Sequence, residues 1–319
     1  FSFYQVTLLM GQVYAVEYPP TYQAFEANFD WLGFNLMMEI DCYQKITFFT
    51  RLVGTTLGPL LFVIIMFIFG WISVQTTKQQ AKKEARKSMV MKGILMVSFV
   101  FLPSASFVVF QSFTCGEDNL LSADPSVNCE STEYSLIVLY ALVMLFIWPI
   151  GVPFYYLYVL GKHYGPSADE MQETVNRWLS GQFGLKEEEQ AKMEERYMLL
   201  EEQAPPYLRV LNAEFEAPCW WVPVFEQYRK LAITGVTILF GAGTVDQLIV
   251  GMIIAILAAL VYFAVQPYKN FGDDLFSMVS HFQIVLVLLW SLLVKFNKRL
   301  EEAGEVMSET LDADVLGDL

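Results

Sequence analysis

The chain has 319 residues, of which 55% are hydrophobic and only 17% charged, where soluble domains carry about 25% charged residues. Its mean hydropathy is +0.41. The net charge of −14 speaks against a nucleic-acid partner, which would require a basic stripe.

The acidic excess sits outside the apolar runs. Of 34 acidic residues, 12 lie between Gly161 and Ala217 and 7 between Phe296 and Leu319. Apolar runs recur at Gly58–Val74, Val90–Val109, Ser135–Leu160, Leu248–Val265 and Phe276–Val294. A hydrocarbon layer of ~30 Å takes roughly 20 apolar residues as helix, and within lipid a helix satisfies its own backbone polar groups. The fold class is therefore all-α: a polytopic transmembrane helical bundle with six complete spans and a partial N-terminal one.

The chain opens at Phe1 with no initiator methionine or signal peptide, and reads as a piece of something longer on its N-terminal side. Residues 1–45 hold the tail of a helix and then an interfacial segment. That segment carries Pro19, Pro20 and aromatics such as Tyr18, Phe25 and Trp31, which favour the membrane–water boundary. Residues 46–160 form a first membrane half of three spans. Its first span runs from Ile46 to Val74, with Arg51 near its start able to snorkel outward. Thr76–Lys92 carries six cations against Glu84, which marks the cytoplasmic side because positive residues resist translocation.

The second span, Val90–Gln111, then runs outward. The extracytoplasmic loop Ser112–Thr132 holds Cys115 and Cys129, predicting a disulfide on the oxidising side, with free thiols as the alternative. Cys42, on the same side, is a competitor; Cys219 belongs on the cytoplasmic side and free. The third span, Ser135–Leu160, contains Pro149, Gly151 and Pro153. Each proline removes a helical hydrogen bond, so a kink or hinge is expected there, near the cytoplasmic end.

Residues 161–217 form an acidic cytoplasmic insertion, helical over Leu185–Gln203. Residues 218–295 form a second membrane half of three spans. Its interfacial lead-in, Ala217–Lys230, carries Trp220, Trp221 and Tyr228. Glu226 and Arg229, three apart, can pair as they pass into the membrane. Ten apolar residues, Leu231–Phe240, cannot cross ~30 Å alone, so the lead-in completes this fourth span. A tight turn follows at Gly241–Asp246, and then the fifth and sixth spans. Residues 296–319 are an acidic tail, uncapped and mobile at its end. Alternation places Lys298 and Arg299 outside, against the usual preference of cations for the cytoplasm.

Two histidines and four cysteines, with no HExxH, CxxC, phosphate-binding glycine loop or GxSxG, predict no enzymatic activity, cofactor or metal. Polar residues at membrane depth are the remaining functional signal: Arg51, Glu226, Arg229, Asp273, Asp274, His281 and Gln283. Arg51 and the two aspartates are close enough to a span end to be hydrated. His281 and Gln283 can bond a neighbouring helix.

FTCGEDNLLSADPSVNCESTEYSLIVLYALVMLFIWPIGVPFYYLYVL, from Phe113 to Leu160, resembles the C-terminal membrane region of large surface proteins of algae, diatoms and oomycetes. Those proteins place EGF-like or other Cys-rich repeats ahead of the membrane region. The shared pattern is a Cys, a YL-x-AD-x-S-x-x-C stretch and YA…PIGIP. WWVPVFEQYRK looks like their W-x-E-x-x-RR segment. The stretch from Gln247 to QPYKNFGDDLFSMVSHFQ resembles their Q…RPY…DN-x-L…SQ sequence. The match covers most of Tyr4–Lys295 and is looser with the TRP-like membrane domain of fungal proteins. It departs at Gln266, where Arg or Lys is common, at Asp273-Asp274 in place of Asp-Asn, and at His281 in place of a Ser-like residue.

The resemblance implies the membrane domain of a surface protein in a plasma or ciliary membrane. The function it implies is ion conduction or mechanical or extracellular sensing. The rival readings are a non-conducting anchor for an extracellular filament, coat or complex, and a seven-helix receptor signalling through the 161–217 insertion. The expected partners are membrane lipid, an extracellular protein or the N-terminal Cys-rich region of the same polypeptide, and further subunits of a homo- or hetero-oligomer.

Overall fold

The computed structural model describes residues 13–14, 47–116, 118–166, 170, 187–241 and 243–317. Of the 1–45 segment only Val13 and Tyr14 fall within it, so the interfacial reading of Glu17–Asp41 and the alternative role of Cys42 lie outside the described residues. The elements in chain order are α1 (Phe48–Gln75), α2 (Gln80–Gln111), β1 (Leu120–Leu121), β2 (Asp124–Asn128) and α3 (Thr132–Leu145). A π-helical turn (Phe146–Gly151) leads into α4 (Val152–Tyr164). Then come α5 (Glu187–Gln203), the short α6 (Arg209–Asn212), α7 (Val222–Thr234), a 3₁₀ turn (Val236–Phe240), α8 (Val245–Val265) and α9 (Phe271–Gly317).

Five helices are long and apolar enough to cross a membrane: Phe48–Gln75, Gln80–Gln111, Thr132–Tyr164, Val245–Val265 and Phe271–Asn297. The bundle is an all-α membrane fold, with five such helices among the described residues where six spans were expected. The difference lies in the fourth span. α7 gives way to a 3₁₀ turn at Gly235 and ends at Gly241, whose φ of 97° is open to glycine at little cost. The chain forms two short pieces here, a 13-residue helix and a five-residue 3₁₀ turn. The reason is local, because Gly235 packs flush against the ring of Phe110 on α2. That close approach bends the backbone out of α geometry.

α2 is the centre of the bundle and α1 its edge: 56% of the apolar window of α2 is buried, against 11% for α1. Exposed Leu61, Phe62, Ile64, Phe67 and Phe69 cover the outer face of α1, the apolar belt that lipid requires. Pro59 lies inside α1, where it loosens the ladder behind it, and the indole Nε1 of buried Trp148 donates to the carbonyl of Thr56 at 3.1 Å. Thr56 Oγ1 in turn meets Tyr140 Oη at 2.8 Å.

The helix bearing Trp148 does not break at its prolines. Residues Phe146–Gly151 widen into a π turn, with Pro149 inside it and Pro153 in the first turn of α4. A wider turn moves the proline ring off the carbonyl it would strike in α geometry. The feature lies mid-helix in Thr132–Tyr164, not near one end.

At the end of the bundle away from the basic loop, Cys115 and Cys129 form a disulfide. It closes a loop containing the antiparallel β1–β2 hairpin, a detail absent from the sequence reading. Buried Leu121 and Val127 turn one face of the hairpin into the main core with Leu102, Val109, Ile137 and Leu248. Asp124 Oδ2 accepts from the backbone N–H of Phe48 at 3.1 Å, so the loop caps the start of α1. Arg51 packs over the Phe48 ring at 5.2 Å and donates to Gln111 Oε1 at 3.4 Å. The side chain thus bridges α1 and α2.

The opposite end, which carries the basic Thr76–Lys92 loop, has its own core of Leu95, Tyr156, Leu160, Tyr164, Leu208 and Val224. Through it the end of the insertion docks on α2 and α4. Glu216 N–H donates to the Pro267 carbonyl at 2.8 Å and Lys269 N–H to the Glu214 carbonyl at 3.0 Å. These bonds clamp the insertion to the α8–α9 turn, reinforced by Lys269–Glu201 at 2.8 Å. The acidic tail continues α9 as helix to Gly317, in keeping with its content of strong helix formers such as Glu, Leu, Met and Ala.

Candidate functional site

The polar residues singled out from the sequence separate into two groups. Arg51 belongs to the outer end, and Gln283 is exposed on the outer face of α9, away from the others. Glu226, Arg229, Asp274 and His281 are buried together with Lys230 and Ser277, near the basic-loop end. Asp273 remains exposed, where its carboxylate accepts from Asn270 Nδ2 at 3.0 Å.

Glu226 and Arg229 lie three apart on α7, so a single helix turn aligns them. Arg229 Nε donates to Glu226 Oε2 at 2.8 Å and Nη2 to Oε1 at 2.6 Å. This is the planar two-bond geometry that makes guanidinium–carboxylate pairs strong. Tyr262, from α8, adds its phenol to Glu226 Oε2 at 2.9 Å, so the carboxylate is held by two helices. Lys230, fully buried, sets its ammonium over the Phe99 ring of α2 at 4.4 Å. Such a contact partly replaces hydration.

α9 supplies the other wall. The Tyr262 and His281 rings lie 4.2 Å apart. His281 Nδ1 is 2.7 Å from the carbonyl of Ser277. A carbonyl only accepts, so Nδ1 carries the proton, and in the neutral ring Nε2 is an acceptor. Asp274, far from being hydrated as its position near the helix end implied, is buried and accepts from the Tyr268 backbone N–H at 3.1 Å, which fixes the α8–α9 turn. The Tyr268 phenol, in that turn, is pushed up to about 12 by burial first and by the nearby Glu226 carboxylate second. It stays protonated and able to donate.

This cluster borders a cavity of about 920 Å³. Its apolar walls include Met96, Phe99 and Ile284, and its polar walls Glu226, Arg229 and His281. Two side-chain atoms at the cluster are buried without a hydrogen-bond partner among the described residues: Arg229 Nη1 and His281 Nε2. No group of three or more His, Cys, Asp or Glu that could hold a metal occurs among the described residues.

Sequence reasoning missed Lys230, Tyr262 and Tyr268. Lys230 was hidden in the basic end of a lead-in that reads as interfacial, and the tyrosines carry no charge to mark them.

No protein-family model, curated protein or solved structure gives a significant match to the chain.

Proposed function

We propose that this chain is the membrane domain of a large surface protein, TRP-like in architecture, that senses a stimulus and answers with ion flux when assembled. The observation that carries this reading is the buried charge cluster Glu226–Arg229–Lys230 beside an open cavity. Charges at membrane depth are costly, and they persist where a path or a moving contact needs them. A passive anchor is served by apolar spans alone.

Two features supply the remaining parts of a sensor. The disulfide-closed hairpin seated in the outer core offers a stiff handle for an extracellular load. The π turn at Phe146–Gly151 lies on the same helix as Trp148 and so links that handle to α1; π turns recur at functional positions in helices.

The test is reconstitution of the purified chain in planar bilayers, with voltage and then tension applied. Current that opens with tension or voltage, and that Glu226→Gln alters in threshold or conductance, is the expected result. Silence under every voltage and tension overturns the conduction reading. It leaves the anchor, which would show a large stable contact with an extracellular protein.

A further inference from the structure

From the geometry we infer that the cavity between α2, α7, α8 and α9 is a binding site for an uncharged membrane lipid whose head is a hydroxyl group. It rests on the cavity and its orphaned atoms, and holds whether or not the chain conducts ions.

The polar end of the cavity sets the chemistry. Arg229 lines it at 5% exposure and His281 at 6%. Arg229 Nη1 is a donor, since its guanidinium has committed Nε and Nη2 to Glu226. His281 Nε2 is an acceptor, because Nδ1 is spoken for by the Ser277 carbonyl. Neither atom has a partner among the described residues, and buried polar atoms left in that state cost stability unless something completes them. One donor and one acceptor on residues lining the same cavity match a hydroxyl, which accepts one hydrogen bond and donates another. Side-chain adjustment at the wall, ordinary on ligand binding, brings the two atoms onto the ligand's head.

Charge decides against an anionic head. The cavity's ionised walls are Glu214, Glu226 and Asp273 against Arg209 and Arg229. The one buried cation among them already neutralises Glu226. A phosphate would meet three carboxylates against two guanidiniums, one of which already serves Glu226.

The apolar remainder sets the class. Phe99, Val100 and Ile284 line the interior, and the lining also includes Met96 and Phe276, which are 60% and 68% exposed on membrane-spanning helices. Exposed Arg209, Glu214, Asn270 and Asp273 also line the cavity, so the mouth runs from the apolar surface of the spans to their polar ends, a rim suited to an amphipathic lipid. A volume of about 920 Å³ falls within the usual range for small-molecule sites. A sterol and a diacylglycerol share the required chemistry, and the experiment separates them.

The full chain is placed in phosphatidylcholine nanodiscs carrying, in separate arms, a photoreactive sterol, a photoreactive diacylglycerol or photoreactive phosphatidic acid. A fourth arm adds excess glycerol to the best-labelled lipid. Labelled peptides are then mapped by mass spectrometry. One of the two uncharged lipids should label peptides spanning Met96–Val100 and Phe276–Ile284 at least about tenfold over phosphatidic acid, and glycerol should not compete.

Ser280→Phe, on a half-buried lining position whose hydroxyl bonds the Phe276 carbonyl of its own helix, puts a ring in the cavity and should cut that labelling severalfold. His281→Phe removes the acceptor and should reduce it about fivefold, the loss of one ordinary hydrogen bond. If His281→Phe fails to fold, Ser280→Phe carries the test alone. Preferential labelling by phosphatidic acid, competition by glycerol, or labelling unchanged by Ser280→Phe each overturns the assignment.

Discussion

Replacing Glu226 with leucine tests the central electrostatic claim. The carboxylate is the anion facing two buried cations, Arg229 at 5% exposure and Lys230 at 0%. Removing it strands the guanidinium and takes from Lys230 the negative charge beside it. Breaking a buried pair from one side costs about 3–5 kcal/mol. At roughly 2–3 °C per kcal/mol for a chain of this size, the apparent melting temperature should fall by roughly 6–15 °C.

Arg229→Leu is gentler. Both bonds to Glu226 are lost, but the carboxylate keeps the Tyr262 phenol at 2.9 Å and the charge of Lys230, which offset part of that loss and leave about 1.5–3 kcal/mol. The double Leu variant should fall between the two, having removed one stranded cation but also the anion that serves Lys230. From sequence alone, pairing puts the Arg229 variant below the double one; buried Lys230 reverses that order. Fluorescence-detected size exclusion after stepwise heating in mild detergent reads all three. Arg229→Leu melting below Glu226→Leu or below the double variant refutes the shared role of the carboxylate.

Reducing Cys115–Cys129, which lie 14 positions apart, or changing both to serine should cost roughly 3 kcal/mol by loop-closure entropy; an unchanged melting curve with reductant contradicts this. Asp124→Ala removes the cap on Phe48 N–H and should cost about 1 kcal/mol, visible as faster amide exchange at the start of α1. Asp124 is held below its ordinary value: burial pushes it up, but hydrogen bonds from Ser126 and Phe48 and the charge of Arg51 outweigh that. The group's contribution is thus full above the ordinary aspartate range and lost as pH falls through its lowered folded value. Wild type should therefore loosen only as pH falls below about 4, through the lowered folded value, while Asp124→Ala changes less. The Cys219 thiol, pushed up to about 11 by burial first and by Glu216 and Asp274 next, should resist iodoacetamide in the folded protein and react once denatured; rapid labelling of the native state counts against its burial.

The spans were legible because lipid imposes a single criterion, some twenty apolar residues in helical form, and Phe48–Gln75, Val245–Val265 and Phe271–Asn297 each meet it. The fourth span failed that criterion in the sequence and is irregular in the structure for a related reason. Gly235, needed so that Phe110 can approach, divides it. The paired cysteines were legible from spacing and side. The hairpin they enclose was not, because its two-residue and five-residue strands are too short to show alternation. The clamp between Glu214–Glu216 and Pro267–Lys269 was invisible for a different reason, since it is built from backbone atoms that carry no sequence signature.

The site itself was half legible, and helix phase accounts for which half. On α9, among the residues whose burial is described, the buried ones are Asp274, Ser277, His281, Ile284, Leu288 and Ser291. Their spacing of three or four residues is the period of one helix face. His281 falls on that stripe, whereas Gln283, two residues on, is turned about 200° away and is exposed. Applied to the sequence, that phase would have kept His281 and Asp274 and set Gln283 aside. The same reasoning on α7 groups Glu226 with Arg229 and Lys230, at three and four residues, and with Ile233 beyond. What phase cannot supply is the partner across the gap. Tyr262 reaches Glu226 from 36 residues away in sequence, and Phe99 meets Lys230 from a helix in the other half of the chain. Charge at membrane depth thus announces that a site exists and which face it lies on, while the aromatic groups that make burial of that charge tolerable emerge only from the packing.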